Sequence, residues 1–225
     1  WSTGPLMPGT HSLTISVSEA NPAGATVNVD AFDIRGSLPS PAALTSSEIR
    51  WVEQRLADLS YRPGAIDGII DAQTRSAVTA FEKWEVLTRD GTIDPVVWTK
   101  LQLAKRPTPT KAGATNPWVE VNKAKQVLLL CRGGKVIWTV PVSTGNANVG
   151  VITPSGTFTI FSKTWDISPC YLPLAVTVYQ GATIAIHGYP KVPTYPASHG
   201  CIRTQLWDQD VIHPLVGVGT KVYIY

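Results

Sequence analysis

The residues whose types and spacing could do chemistry lie in positions 186–203, the run I-H-G-Y-P-K-V-P-T-Y-P-A-S-H-G-C-I-R. Cys201 follows Gly200 and shares the run with two histidines, His187 and His199. A cysteine attacks as its thiolate, and with a pKa near ~8.5 only a few per cent is ionised at neutral pH. An imidazole within hydrogen-bond reach can take that proton. Gly200 lets the backbone come close enough for an amide N–H to face a developing oxyanion. Either histidine alone would carry little weight. The cluster signals a cysteine nucleophile.

His187 closes an apolar run, residues 182–186, and precedes Gly188, so an imidazole is expected at a strand end where a loop begins. His199 and Cys201 are two apart, and on extended backbone both point to one side. Spacing does not choose which histidine accepts the proton. Ser198 sets a small hydroxyl before the turn. Arg203 follows it, to hold a substrate carboxylate by a two-pronged contact or to brace the loop through backbone carbonyls. Tyr189 opens a Pro- and Tyr-rich stretch, residues 189–196, expected to wall a cleft. Trp165, Tyr171 and Tyr179 are candidates for the same groove or for core packing. Two His and one Cys could also ligate zinc, but no H-x-x-x-H, H-E-x-x-H or C-x-x-C spacing supports it, and no metal is expected. His11 and His213 read as structural or solvated, Asp30 and Asp33 as solvated carboxylates on a strand face.

His187-Gly188, a short loop and S-H-G-C-I-R through Arg203 resemble the signature of the L,D-transpeptidases (the YkuD-type catalytic domain) of bacterial cell-wall assembly. Residues 119–130 resemble the opening strands of that family, T-P-S-G-T-F at 153–158 its T-P-x-G-x-F turn, and residues 219–224 its closing strand. The four segments occur in the family's order over residues 117–225. The resemblance implies a mainly β, YkuD-like β-sandwich in which Cys201 attacks the carbonyl of a diamino acid in a tetrapeptide stem. Terminal D-alanine leaves, and an amine of a second stem resolves the thioester to a 3→3 cross-link. It implies His187 as base, oriented by the Gly188 carbonyl, and His199 as an aid to substrate or thiolate. Amides near Gly200 and Cys201 would hold the oxyanion, with Ser198, Arg203 and Tyr189 toward substrate. It implies no cofactor, peptidoglycan stem peptides and glycan as partners, covalent inhibition by carbapenems, a monomer, and an extracytoplasmic place in the cell wall or periplasm. Water in place of the second amine would make an L,D-carboxypeptidase or peptidase with the same cysteine. An idle catalytic domain would leave a wall-binding protein.

The elements that must position this run begin far upstream. The 225 residues allow one large domain or two to three small ones. A net charge of +3 without a Lys/Arg-rich run gives no support to nucleic-acid binding, and no apolar stretch of ~20 residues offers a membrane span. The chain begins at Trp1 without a signal-peptide pattern, so export is inferred rather than read. Residues 12–18 and 26–32 alternate apolar and polar with N-P-A-G between them, two strands resembling the end of a truncated β-sandwich over residues 1–36. Residues 44–103 predict a small three-helix module: Ile49, Val52, Leu56 and Leu59 share one face behind a Ser46 or Ser47 cap, Thr74 to Trp84 mark a second helix, and Asp94-Pro95 open a third. The module resembles peptidoglycan-binding modules in its R-L, D-G, T-x-x-A-V-x-x-F, D-G and W-x-x-L pattern. It departs at Ser60-Tyr61, where the family has G-Y, and at Ile70-Asp71, where it has F-G.

Residues 104–117 carry three prolines and no periodicity, and residues 104–116 read as a stiffened linker expected to hold the module and the β domain apart. Strands are expected at 118–130, 135–142, 156–162, 175–179, 183–187, 201–204 and 221–225, with a helix at 205–211. With Cys201 as nucleophile, Cys131 and Cys170 could pair as a disulfide in an oxidising compartment or stay separate thiols.

Overall fold

The computed structural model describes residues 44–111 and 115–225. The two strands expected within residues 1–36 lie outside the described residues.

Helix α1 (Ser46–Asp58) starts one residue earlier than the serines suggested. Thr45 is its cap, accepting from Glu48 N while the Glu48 carboxylate takes Thr45 N at 2.7 Å, a reciprocal capping box. Asp71 caps α2 (Ala72–Glu85) through Thr74 N at 2.8 Å, and Asp94 with Pro95 opens α3 (Pro95–Leu103) as expected. The three helices close over Val52, Leu56, Val78, Phe81 and Leu101, all but removed from water. Both D-G glycines have a structural task. Gly68 and Gly91 adopt φ of +80° and +71° and donate their N–H to the buried carboxylates of Glu53 and Glu82, each at 2.9 Å.

The remainder is mainly β. Strands β1 (Trp118–Asn122), β2 (Val127–Arg132), β3 (Lys135–Pro141), β4 (Gly156–Thr159), β5 (Ser162–Lys163), β6 (Tyr171–Tyr179), β7 (Ala182–Gly188), β8 (Ile202–Thr204) and β9 (Lys221–Ile224) form two sheets, with α4 (Leu206–Leu215) between β8 and β9. The sheet orders are β3-β2-β1-β9-β4 and β5-β6-β7-β8. Both sheets and α4 share one core: Val119, Leu128 and Val222 meet Leu174, Ile186, Ile202 and Ile212. This is the sandwich the strand pattern predicts. The continuous strand expected over 118–130 is instead two, because Asn122 Oδ1 takes Lys125 N and Gln126 adopts φ +58°, turning the chain back.

The helical module is not held apart, and here the sequence expectation is corrected. Ser60 O accepts from Thr139 N at 2.7 Å, so the module extends the β3 edge, and α2 packs on β3. Arg62 reaches α4, donating to Trp207 O at 3.2 Å and to Asp208 Oδ1 at 3.1 Å. The linker folds back along both bodies. Arg106 donates to Asp58 O at 2.7 Å, and Thr110 and Lys111 give their amides to the buried Glu120 carboxylate of β1, each at 3.0 Å. Glu120 has no water to solvate it, and these donors answer that need.

Candidate active site

Parallel pairing of β7 with β8 puts Ile186 beside Ile202 and His187 beside Arg203. Cys201, one residue before β8, therefore lies next to Ala185, on the face that carries His187 and Arg203. Its Sγ takes Ala185 N at 3.5 Å and donates to Thr183 O at 3.6 Å. The sulfur is half-buried and free. Burial pushes the thiol up, and the Ala185 amide and the Arg203 charge pull it back.

His187 is buried, with Nδ1 2.9 Å from Gly188 O. A carbonyl only accepts, so Nδ1 carries the proton and Nε2 keeps the lone pair that a base needs. Burial holds His187 below its ordinary value, opposed by the Gly188 bond and aided by Arg203. The direct hydrogen bond expected between His187 and Cys201 does not join them in this arrangement. Sγ is turned toward the β7 backbone instead, and burial favours the neutral form of both the thiol and the imidazole.

The turn ahead of Cys201 is fixed from within. Ser198 is buried; its hydroxyl donates to Cys201 O and accepts from Gly200 N at 3.1 Å. The hydroxyl proton is spent inside the turn, so Ser198 helps hold the turn in place. The Gly200 amide is likewise committed, which leaves Cys201 N–H, without a protein acceptor among the described residues, as the donor able to face an oxyanion. Gly200 sits at φ +121°, and a Cβ there would come within 2.7 Å of Ile184 Cδ1. No side chain fits.

His199 is exposed and lays its ring on Gly150, whose Cβ would meet it at 2.9 Å. Arg203 stacks 4.2 Å above the Tyr189 ring and donates to Ala197 O at 3.2 Å, so it braces the loop. Tyr189 in turn meets the His187 ring edge-on at 5.8 Å. Gly188 is required by crowding, since a Cβ would lie 2.8 Å from the Tyr171 ring. Trp165 and Tyr171 line a separate open depression of about 590 Å³ with Asp166, Asp210 and His213, which includes neither Cys201 nor His187. Tyr179 stands at the far β6–β7 hairpin.

One part of the site was missed in the sequence. Thr153 Oγ1 accepts from Gly145 N at 2.8 Å and donates to Gly200 O at 2.6 Å, clamping residues 143–153 onto the turn ahead of Cys201. The T-P-S-G-T-F motif was its signal. Cys131 is buried in β2, its thiol pushed up to about 12 by burial and Glu120. Cys170 lies where it feels Cys201 and Arg203, and all three cysteines are free thiols, so the pairing of Cys131 with Cys170 is not formed. No group of three or more metal-ligating side chains occurs among the described residues.

Residues 116–224 match the YkuD family, described as the L,D-transpeptidase catalytic domain, and residues 45–101 match the peptidoglycan binding domain family. The chain carries a YkuD-type L,D-transpeptidase catalytic domain. The domain follows a peptidoglycan-binding domain, which makes the protein a peptidoglycan-modifying enzyme. The chain is similar to an L,D-transpeptidase from Xylanimonas cellulosilytica at 29% identity, covering 86% of this chain and 100% of that one with a TM-score of 0.73. That likeness spans more of the chain than the transpeptidase domain alone. It shares its fold with an L,D-transpeptidase from Stackebrandtia nassauensis, at 20% identity over 84% and 94% of the two chains and a TM-score of 0.50. The comparison with curated proteins gives no match. No helix among the described residues is long and apolar enough to cross a membrane.

Proposed function

We propose that the protein cross-links peptidoglycan stems 3→3 through a thioester on Cys201, acting extracytoplasmically at the cell wall as a monomer. Rotation about χ1 of Cys201 turns Sγ from the Thr183 carbonyl toward Nε2 of His187, which takes the proton. The sulfur attacks the carbonyl carbon of the third stem residue, and the oxyanion accepts from Cys201 N–H. As the C–N bond to terminal D-alanine breaks, His187 returns the proton to the leaving amine. The amine of a second stem then attacks the thioester, forms the new amide and releases the thiol. Arg203, held over Tyr189, directs its remaining N–H groups to a stem carboxylate. His199, on the Gly150 loop, supports the donor stem. Residues 44–103 hold the catalyst to glycan and residues 117–225 do the chemistry, with residues 104–116 joining them.

The observation that supports this reading is the shared face of Cys201 and His187 with Nδ1 tied to Gly188 O, which aims the basic nitrogen away from the backbone. The test is mass analysis of products from soluble stem tetrapeptides. Dimers from the wild-type chain and none from Cys201→Ala are expected, together with a carbapenem adduct on Cys201 only. Tripeptide without dimer would replace the transferase reading by the carboxypeptidase one, and no product at all would leave a wall-binding protein.

A further inference from the structure

Lys83, in the last turn of α2, has no solvent exposure, yet its partner across the interface among the described residues is a carbonyl: Nζ donates to Val142 O at 2.9 Å. Taking an ammonium out of water costs several kcal/mol, and a leucine or methionine would fill the same space without that cost. Burial, with Arg89 nearby, pushes Lys83 down to about 7, the mark of that cost. What Lys83 grips is the start of the strut that carries the nucleophile turn. Ser143, the next residue, bonds both ways with Arg203 at 3.0 and 2.9 Å, and its hydroxyl donates to Tyr195 O at 2.8 Å. Thr144 O takes the amides of Ala197 and Ser198, each at 3.0 Å. Gly145 then packs so closely on Gly200 that a Cβ would stand 2.8 Å from its Cα.

Arg89 reaches the other side of the same assembly. One nitrogen donates to Thr194 O at 3.3 Å, in the loop between the two histidines, and another to Ala124 O at 3.2 Å. The helical module thus holds both the strut and the cleft wall. We propose that Lys83 and Arg89 of the peptidoglycan-binding module are positioning residues for the transpeptidase site, so that the module sets the geometry of the Cys201 turn as well as anchoring the enzyme. The proposal rests on the reading of Cys201 as nucleophile. A misplacement near 1 Å at a reacting group costs on the order of a hundredfold in rate, so slackening the strut has a large lever.

The test compares acylation of the full chain by a carbapenem, a small probe that owes nothing to glycan. Lys83→Met and Arg89→Ala are expected to lower the maximal acylation rate by about tenfold or more, while the half-saturating concentration moves by less than about threefold. Arg89→Lys, which keeps the charge, is expected to recover part of the rate. Arg50→Ala, on the exposed side of α1, is expected to match wild type. If Lys83→Met fails to fold, the half-exposed Arg89 pair decides alone. Wild-type rates in both variants overturn the proposal and leave the nucleophile intact. Failure of the wild-type chain to acylate, by contrast, overturns the reading of Cys201 and this proposal with it.

Discussion

Replacing Arg62 by methionine separates charge from packing at the seam between the two domains. Arg62 pairs with Asp208 at 3.1 Å and stacks with its guanidinium carbon 5.0 Å from the Trp138 ring centroid. The Asp208 side chain is 2% exposed, and its Oδ2 has no partner. Burial pushes the carboxyl up to about 7 despite the pull of Arg62 in the other direction. That folded value lies above the ordinary ~3.9 of an unfolded aspartate, so the folded state binds the extra proton between those limits. The stability Asp208 contributes is therefore present at acid pH and lost as pH rises toward 7. Without Arg62 the folded value climbs further and the loss continues past neutrality.

The size of the effect follows from which species is left behind. At pH ~8.5 the variant buries a carboxylate with no partner or holds a proton against the solvent, a cost of about 3–5 kcal/mol. At pH ~5.5 the wild-type carboxyl is already protonated, and only hydrogen bonding and stacking are lost, about 1–2 kcal/mol. For a chain of this size ~1 kcal/mol moves the melting midpoint by about 2–4 °C. Calorimetry of Arg62→Met is expected to show a midpoint lowered by roughly 10 °C at the alkaline pH and roughly 4 °C at the acid one. An equal drop at both would refute the ion-pair reasoning and assign the residue to packing alone.

Thr153→Val keeps the shape but leaves Gly145 N and Gly200 O unpaired, so a destabilisation of about 1–3 kcal/mol and a fall in carbapenem acylation are expected, from denaturant midpoints and adduct kinetics. Burial lowers His187, so its neutral form persists below 6.5 and the acid limb of the acylation–pH profile is expected under that value; a limb above it would count against His187 as base.

Much of the site was legible because its chemistry is concentrated in one run. H-G and S-H-G-C-I-R single out Cys201, His187 and the Gly188 carbonyl as candidates, and the β7–β8 register brings the side chains of Cys201 and His187 to one face. What spacing could not tell was how each polar group would be spent. Ser198 looks the same in a sequence whether its hydroxyl meets substrate or closes a turn, and burial decides it. Thr153 lies 48 residues from Cys201, a separation no periodicity bridges. Helix caps were legible to within a residue, since Thr45, Ser46 and Ser47 are chemically alike and only the reciprocal bond to Glu48 selects the first.

The docking of the module was illegible for a further reason, and its trace was a departure from pattern. Where such modules have G-Y, this chain has Ser60-Tyr61. Ser60 adopts φ +68°, a conformation that costs a non-glycine residue roughly 1 kcal/mol. Its carbonyl takes Thr139 N at 2.7 Å and its hydroxyl donates to Val136 O at 3.2 Å, both on β3. Tyr61 beside it is buried edge-on against Phe81 and bridges Thr139. Glycine would relieve the strain but could not supply the hydroxyl. The substitution that weakens the match to a free-standing module is therefore the one that fastens this module to the transpeptidase domain. Together with Lys83, Arg62 and Arg89, it joins the module to Val142 beyond β3, to α4 and to the loop at Thr194, so the two domains are held by contacts spread along one seam.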